Sequence, residues 1–207
     1  MSAREEILGR VRQALVDVPA SDSTEVPRDY RRSLGIDRAA VLDLFAETVS
    51  DYRATLHRSA PDQIASAVAA ILAGQGITRL AVPADLPDDW LPDDLDVVVD
   101  DGRLGAGDLD AVAGAMTAAA VGIAQTGTLV LDAGARQGRR LLSLVPDYHL
   151  CVISADDVVG SVPEALGRLD PVRPITLISG PSATSDIELS RVEGVHGPRT
   201  LDVLLVE

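Results

Sequence analysis

The chain has 207 residues, enough for one α/β domain with a terminal arm and too few for two complete domains. With 46% hydrophobic and 24% charged residues but only 2% aromatic, it reads as globular with an aliphatic core, and its net charge of −14 opposes the counterion release that drives binding to nucleic acids and the attraction to anionic membranes. All 18 basic residues are Arg, which excludes a Schiff-base lysine and a P-loop.

Residues 2–16 set Ile7, Leu8, Val11, Leu15 and Val16 on one helical face, and Ser2 and Glu5 stand at capping-box spacing. This predicts an amphipathic N-terminal helix, charged from its start and without the apolar core of a secretion signal. A Pro-, Ser- and charge-rich stretch follows, so residues 1–36 read as helix plus linker and 37–207 as the main α/β domain. The longest weakly polar run, 111–124, is too short for a membrane span, and the expected location is cytoplasmic.

Asp37 is a candidate N-cap for a second helix carrying Val41, Leu44, Phe45 and Val49. ATLH (54–57) reads as a strand, and Pro61 opens a helix with Ile64, Val68, Ile71 and Leu72 that stops at Gly74–Gly76. RLAVP (79–83) and DVVVD (96–100) are short strands. After Asp108 the composition predicts an Ala-rich helix, followed by the apolar segment VGIAQTGTLVLD. Then come a strand HLCVIS (149–154), a helix over about 156–169, a strand ITLISG (175–180), a short helix and a last strand TLDVLLV. Short β-branched runs alternating with helices predict βαβ units and a mostly parallel sheet covered on both faces.

Several motifs carry chemistry in one reading and local structure in another. The loop Gly102-Arg-Leu-Gly105-Ala-Gly107 has the wrong order for a dinucleotide fingerprint, and its flanking Asp100, Asp101, Asp108 and Asp110 would repel a pyrophosphate. In Gln125-Thr126-Gly127-Thr128, Gly127 serves either as the turn of a tight connection or as the point where a ligand approaches backbone and hydroxyl donors. In Gly180-Pro-Ser182-Ala-Thr184-Ser185-Asp186, the hydroxyls either cap a helix, with Ser185 and Glu188 at capping-box spacing, or receive an anion at the carboxyl edge of a parallel sheet.

His196, Gly197 and Arg199 form a tight loop before the last strand, with one imidazole as a weak catalytic candidate and one guanidinium able to grip a carboxylate. Arg136, Arg139 and Arg140 read either as partners of nearby carboxylates or as a positive rim for an anionic substrate. His57 and His149 are distant from that loop in sequence, and no metal site is expected. The candidate ligand-binding set is Thr126, Gly127, Thr128, Gly180, Ser182, Thr184, Asp186, Gly197 and Arg199. The single Cys151 cannot make an internal disulfide or hold a thiolate-ligated cluster.

AQTGTLVL, RxLSLVPDxHLCVI (140–153), ISGPSATSDIEL and VEGVHGPRTLDVLLVE, in that order, together with SAREEILGRVRQAL at the start, resemble the lactate-utilisation (LUD) domain family over nearly the whole chain. The resemblance implies a three-layer α/β/α fold similar to the sugar-phosphate isomerase and coenzyme A transferase group. It also implies a part in oxidising L-lactate to pyruvate, as the component of a three-protein system that lacks cysteine clusters. Two partner proteins are then expected to carry iron–sulfur clusters, with no cofactor on this chain and a small anionic metabolite as ligand. Members of the family often have an acid before the Thr-Gly pair, where this chain has Gln125, which argues against a carboxylate nucleophile or base at that point. The alternatives are a free-standing acyl or sugar-phosphate enzyme of the coenzyme A transferase type, and a ligand-binding regulator.

Overall fold

The computed structural model describes residues 2–18, 26–181, 183–184, 192–193 and 197–207, with the backbone alone at 183–184 and 192–193. By contacts the chain divides into two compact units, Met1–Arg31 and Arg32–Glu207. The first contains α1 (Ala3–Ala14). Its capping box is formed in both directions, the Ser2 hydroxyl accepting from the Glu5 N–H at 3.3 Å and the Glu5 carboxylate accepting from the Ser2 N–H at 2.7 Å. Ile7, Leu8, Val11 and Leu15 are all exposed.

In the second unit, α2 (Arg38–Asp51) starts where the Asp37 carboxylate accepts from the Ala40 N–H at 2.9 Å. There follow β1 (Thr55–Ser59), α3 (Ile64–Gln75), β2 (Arg79–Pro83), β3 (Asp96–Asp100), α4 (Ala106–Asp110) and β4 (Gly114–Ala118). β5 (Val121–Ile123), β6 (Thr128–Leu131), β7 (Tyr148–Ser154), β8 (Val158–Val159), α5 (Val162–Leu166) and β9 (Thr176–Ser179) come next, then β10 (Ala183–Thr184), β11 (Val192–Glu193) and β12 (Thr200–Val206). The main sheet has six strands in the order β1-β12-β7-β4-β2-β3, every pair parallel. A second, mixed sheet runs β8-β5-β6-β9.

Strand alternation sorts the core into layers. Leu150 and Val152 of β7 pack with Ile64, Val68, Ile71 and Leu72 of α3 on one face. Cys151 and Ile153, pointing the other way, pack with Val41, Phe45 and Val49 of α2 and with Leu129 and Leu131 of the second sheet. The outer face of the second sheet is covered in turn by Ala165 of α5 against Val121, Ile123, Val130 and Val159. The result is a three-layer α/β arrangement around a parallel sheet. Each large aliphatic buried in it contributes about 1.5–3 kcal/mol relative to exposure.

Four expectations change. The Ala-rich helix reduces to the short α4, because Gly114–Ala118 is β4, a fully buried strand between β7 and β2. Small residues are needed there: a Cβ on Gly114 would lie 2.6 Å from the Tyr148 ring, so pairing and close packing override alanine's helix preference. The helix over 156–169 shortens to α5, because Val158–Val159 pair with β5 as a sheet edge. ITLISG forms a strand, but β9 joins the second sheet antiparallel to β6 and not the parallel one. Where a short helix is expected after it, Ala183–Thr184 and Val192–Glu193 pair as antiparallel strands, and the Ser185 and Glu188 capping pair lies outside the described residues.

Candidate functional site

A cleft of about 370 Å³ opens between β9, the loop before β12 and the turn Arg140–Ser143 that precedes β7. Gly180 and Pro181 enter it from the end of β9, and Gly197 and Pro198 from the loop before β12. Its wall on the main sheet is His149 and Leu201, each the second residue of its strand. The cleft therefore sits at the amino-terminal end of the parallel strands, on the α2 side. The carboxyl-edge position expected for the Gly180 segment does not hold, because β9 belongs to the antiparallel part of the second sheet.

Of the predicted residues, Gly180 and Gly197 line the cleft. Thr126 and Thr128 reach it through a chain of hydroxyls: Thr126 Oγ1 is 2.7 Å from Thr128 Oγ1, and Thr128 Oγ1 is 2.7 Å from the Oγ of Ser179, a lining residue. Gly127 serves the fold. Its φ of +55° is left-handed, and a Cβ there would lie 2.7 Å from the backbone of Thr48, which anchors α2 by donating its hydroxyl to the Ala124 carbonyl at 2.7 Å. Gln125 is exposed, with its N–H donating to the Gly160 carbonyl at 3.0 Å. Arg199 is not part of the lining; its guanidinium lies 3.5 Å from Asp147 and both side chains are exposed. Ser182, Asp186 and His196 lie outside the described residues, as does the side chain of Thr184.

The arginine cluster separates into three roles. Arg139 pairs with Asp100 through two bonds, Nε to Oδ2 at 2.8 Å and Nη2 to Oδ1 at 3.0 Å, and also donates to the Leu104 carbonyl. Arg136 lies over the Trp90 ring at 5.4 Å from its centroid. Arg140 alone of the three lines the cleft; it is exposed and has no carboxylate partner among the described residues.

Sequence reasoning set His149 aside as one of three scattered imidazoles, yet it is the most unusual group at the cleft. It is 1% exposed, its Nε2 lies 2.8 Å from Thr117 Oγ1, and its Nδ1 is buried without a partner among the described residues. Burial disfavours the imidazolium and pushes its pKa down to about 4, so the ring is neutral at physiological pH. Thr117 Oγ1 also lies 3.9 Å from Cys151 Sγ, and burial pushes that thiol up to about 12. The signal available in the sequence was a polar residue in an otherwise apolar strand, with Cys151 on the same face by alternation.

His57 belongs to a different cluster, on the α3 face of the main sheet. There the Asp202 carboxylate accepts from Tyr148 Oη at 2.8 Å and Gln75 Nε2 at 3.0 Å, with His57 Nε2 at 3.0 Å. Burial is the main cause that raises the Tyr148 phenol above its ordinary value, helped by the neighbouring carboxylate. Among the described residues no three His, Cys, Asp or Glu side chains are grouped to hold a metal ion, and no helix is long and apolar enough to cross a membrane.

Comparison with known proteins places these features. The family model of the LUD domain matches residues 107–206, a span that contains every cleft residue named above. "Lactate utilization protein C" of Deinococcus radiodurans is 39% identical over 208 aligned residues, covering 99% of this chain and 95% of that protein. A protein of the same name from Geobacillus sp. (strain WCH70) is 31% identical over 63% of this chain and 56% of its own length. The crystal structure of a DUF162 family protein from Deinococcus radiodurans superposes with a TM-score of 0.72 at 36% identity, covering 83% of this chain and 99% of that one. The chain belongs to the LUD-domain family.

Proposed function

We propose that this protein takes part in lactate utilisation as a component of an L-lactate-oxidising complex. It lacks a redox centre of its own, and two partner proteins carry iron–sulfur clusters and the electrons. The observation that carries the reading is 39% identity, over 99% of the chain, to a protein named for lactate utilisation. The chemistry of the chain supports it. One cysteine, whose buried thiol is held protonated, is not a cluster ligand, and there is no lysine for covalent carbonyl chemistry. In this reading the cleft holds a small anionic metabolite beside Arg140, with Gly180, Gly197 and the Thr128–Ser179 hydroxyls supporting it. A free-standing enzyme of the coenzyme A transferase type is less well supported, since the described lining of the cleft contains no Asp or Glu to act as nucleophile.

The test is reconstitution. The protein is purified alone and together with the products of its neighbouring genes, and lactate-dependent reduction of an electron acceptor is followed. Activity is expected only in the mixture; full activity of the isolated chain overturns the proposal.

A further inference from the structure

The main sheet has a pocket at each end of its strands. The cleft lies at the amino-terminal end, while Ala118, Ser154 and Val206, the last residues of β4, β7 and β12, line a separate pocket of about 80 Å³ at the carboxyl end. The chain diverges there: β2 leads to β3 on one side, and β4 leads to β7, the next strand of this sheet, on the other. The crevice outside the carboxyl ends at such a divergence is where open α/β sheets hold ligands.

Arg136 lines this pocket from a backbone conformation that a non-glycine residue seldom adopts, with φ at +64°. Two hydrogen bonds fix that backbone. Its N–H donates to Asp85 Oδ2 at 2.7 Å, and its carbonyl accepts from the Ala118 N–H at 2.8 Å. The guanidinium rests over Trp90, itself part of the lining, so the strained residue aims a cation at the end of the sheet.

Asp157, half-buried, lines the same pocket. The two opposite charges do not pair with each other, and neither is ion-paired with any other described residue. A bare anion at Arg136 is opposed by Asp157, by the nearby Asp85 and by the net charge of −14, whereas a ligand that carries both charges satisfies both groups and adds no net charge. Size narrows the choice. A water takes up roughly 10–15 Å³ of such space, so the pocket accepts roughly five to eight non-hydrogen atoms. Ile64, Val152 and Val206 supply apolar wall.

We propose that this pocket binds a small apolar α-amino acid of alanine's size, with its carboxylate at Arg136, its ammonium at Asp157 and its side chain against Ile64, Val152 and Val206. The pocket and the cleft share no described lining residue, so the inference does not rest on the proposed function.

The experiment titrates the full chain with L-alanine, L-lactate, ethylamine and L-phenylalanine and follows the fluorescence of Trp90, the single tryptophan, which lines this pocket and not the cleft. L-lactate has a hydroxyl where alanine has its ammonium, ethylamine lacks the carboxylate, and L-phenylalanine exceeds the volume. L-alanine should bind at least about tenfold tighter than each of them, the worth of one charge-assisted hydrogen bond. Asp157→Asn should remove the preference for alanine over lactate. Arg136→Gly, whose glycine tolerates the left-handed φ, should weaken alanine at least about tenfold while the chain stays folded by circular dichroism.

Binding of L-lactate, ethylamine or L-phenylalanine as tight as that of L-alanine overturns the proposal. So does alanine binding that survives unchanged in either variant, or a Trp90 emission that does not respond to millimolar L-alanine.

Discussion

Tyr148 donates its phenolic hydrogen to Asp202 across 2.8 Å, tying β7 to β12 within the apolar layer beneath α3. Asp202 is 0% exposed, and Gln75 and His57 add a helix and a third strand to the same carboxylate. The cluster joins elements far apart in sequence on the face opposite the cleft.

Removing the shared acceptor should therefore cost more than removing one donor. Asp202→Ala leaves the buried Tyr148 hydroxyl without its acceptor and also removes the partner of half-buried His57 and exposed Gln75, and is expected to lower stability by about 2–3 kcal/mol. Tyr148→Phe deletes one bond and should cost about 1 kcal/mol. Urea unfolding of both variants measures the difference; equal costs would show that the cluster does not act through the carboxylate.

His149 makes stability depend on pH. Its folded pKa of about 4 lies below the ordinary histidine value of 6.5, so between these values the unfolded chain binds more protons than the folded one. Stability from this group is complete above about pH 6.5 and is lost as the pH falls toward 4, by about 3 kcal/mol in all. Burial is the cause of the shift, and the neighbouring Cys151 stays protonated and uncharged, so it leaves the sign unchanged. Unfolding free energies of wild type and His149→Gln across this window should converge as the pH falls.

Adjacent arginines should separate stability from binding. Arg139 neutralises the Asp100 side chain, which is 1% exposed, so Arg139→Ala should destabilise the fold by about 2 kcal/mol through its lost charge-assisted bonds. Arg140→Ala should leave the melting temperature within about 2 °C of wild type while weakening anion binding at the cleft. A matched pair of thermal melts and calorimetric titrations decides this.

Gly180 should tolerate no side chain. Its φ is +74°, and a Cβ would lie 2.2 Å from the Tyr52 carbonyl oxygen at the end of α2. Gly180→Ala is expected to cost at least about 2 kcal/mol and to weaken ligand binding, because relieving the clash moves the end of β9 at the cleft. Gly127→Ala should cost a similar amount with less effect on the cleft, since its close contact is with Thr48. Chemical unfolding and the ligand titrations test both variants.

Much of the fold was legible because it depends on local pattern. RLAVP and DVVVD are strands with the bounds their composition suggests, Asp37 caps α2, and Gly76 ends α3 in the left-handed conformation. Where packing decides, local pattern failed: the alanines of β4 carry helix preference but lie where neighbouring strands leave room only for small side chains. The site was legible in part. Gly180 and Gly197 were marked by their turn context, and Thr126 and Thr128 by their polarity between apolar runs, while His149, a polar residue in an apolar strand, carried a similar sign but no indication of which segments would pack against it.

By itself the sequence determined the aliphatic core, the α/β class, the absence of lysine and of any cysteine cluster, and through four ordered motifs the family, because composition and motif order need no spatial information. Only the tertiary structure decided that β9 leaves the parallel sheet, that one of three clustered arginines faces the cleft, and that His149 is sealed at its wall with one nitrogen unpaired among the described residues. Those properties come from strand pairing and desolvation. They are set by which distant segments pack together, and alternation within a single strand carries no record of that.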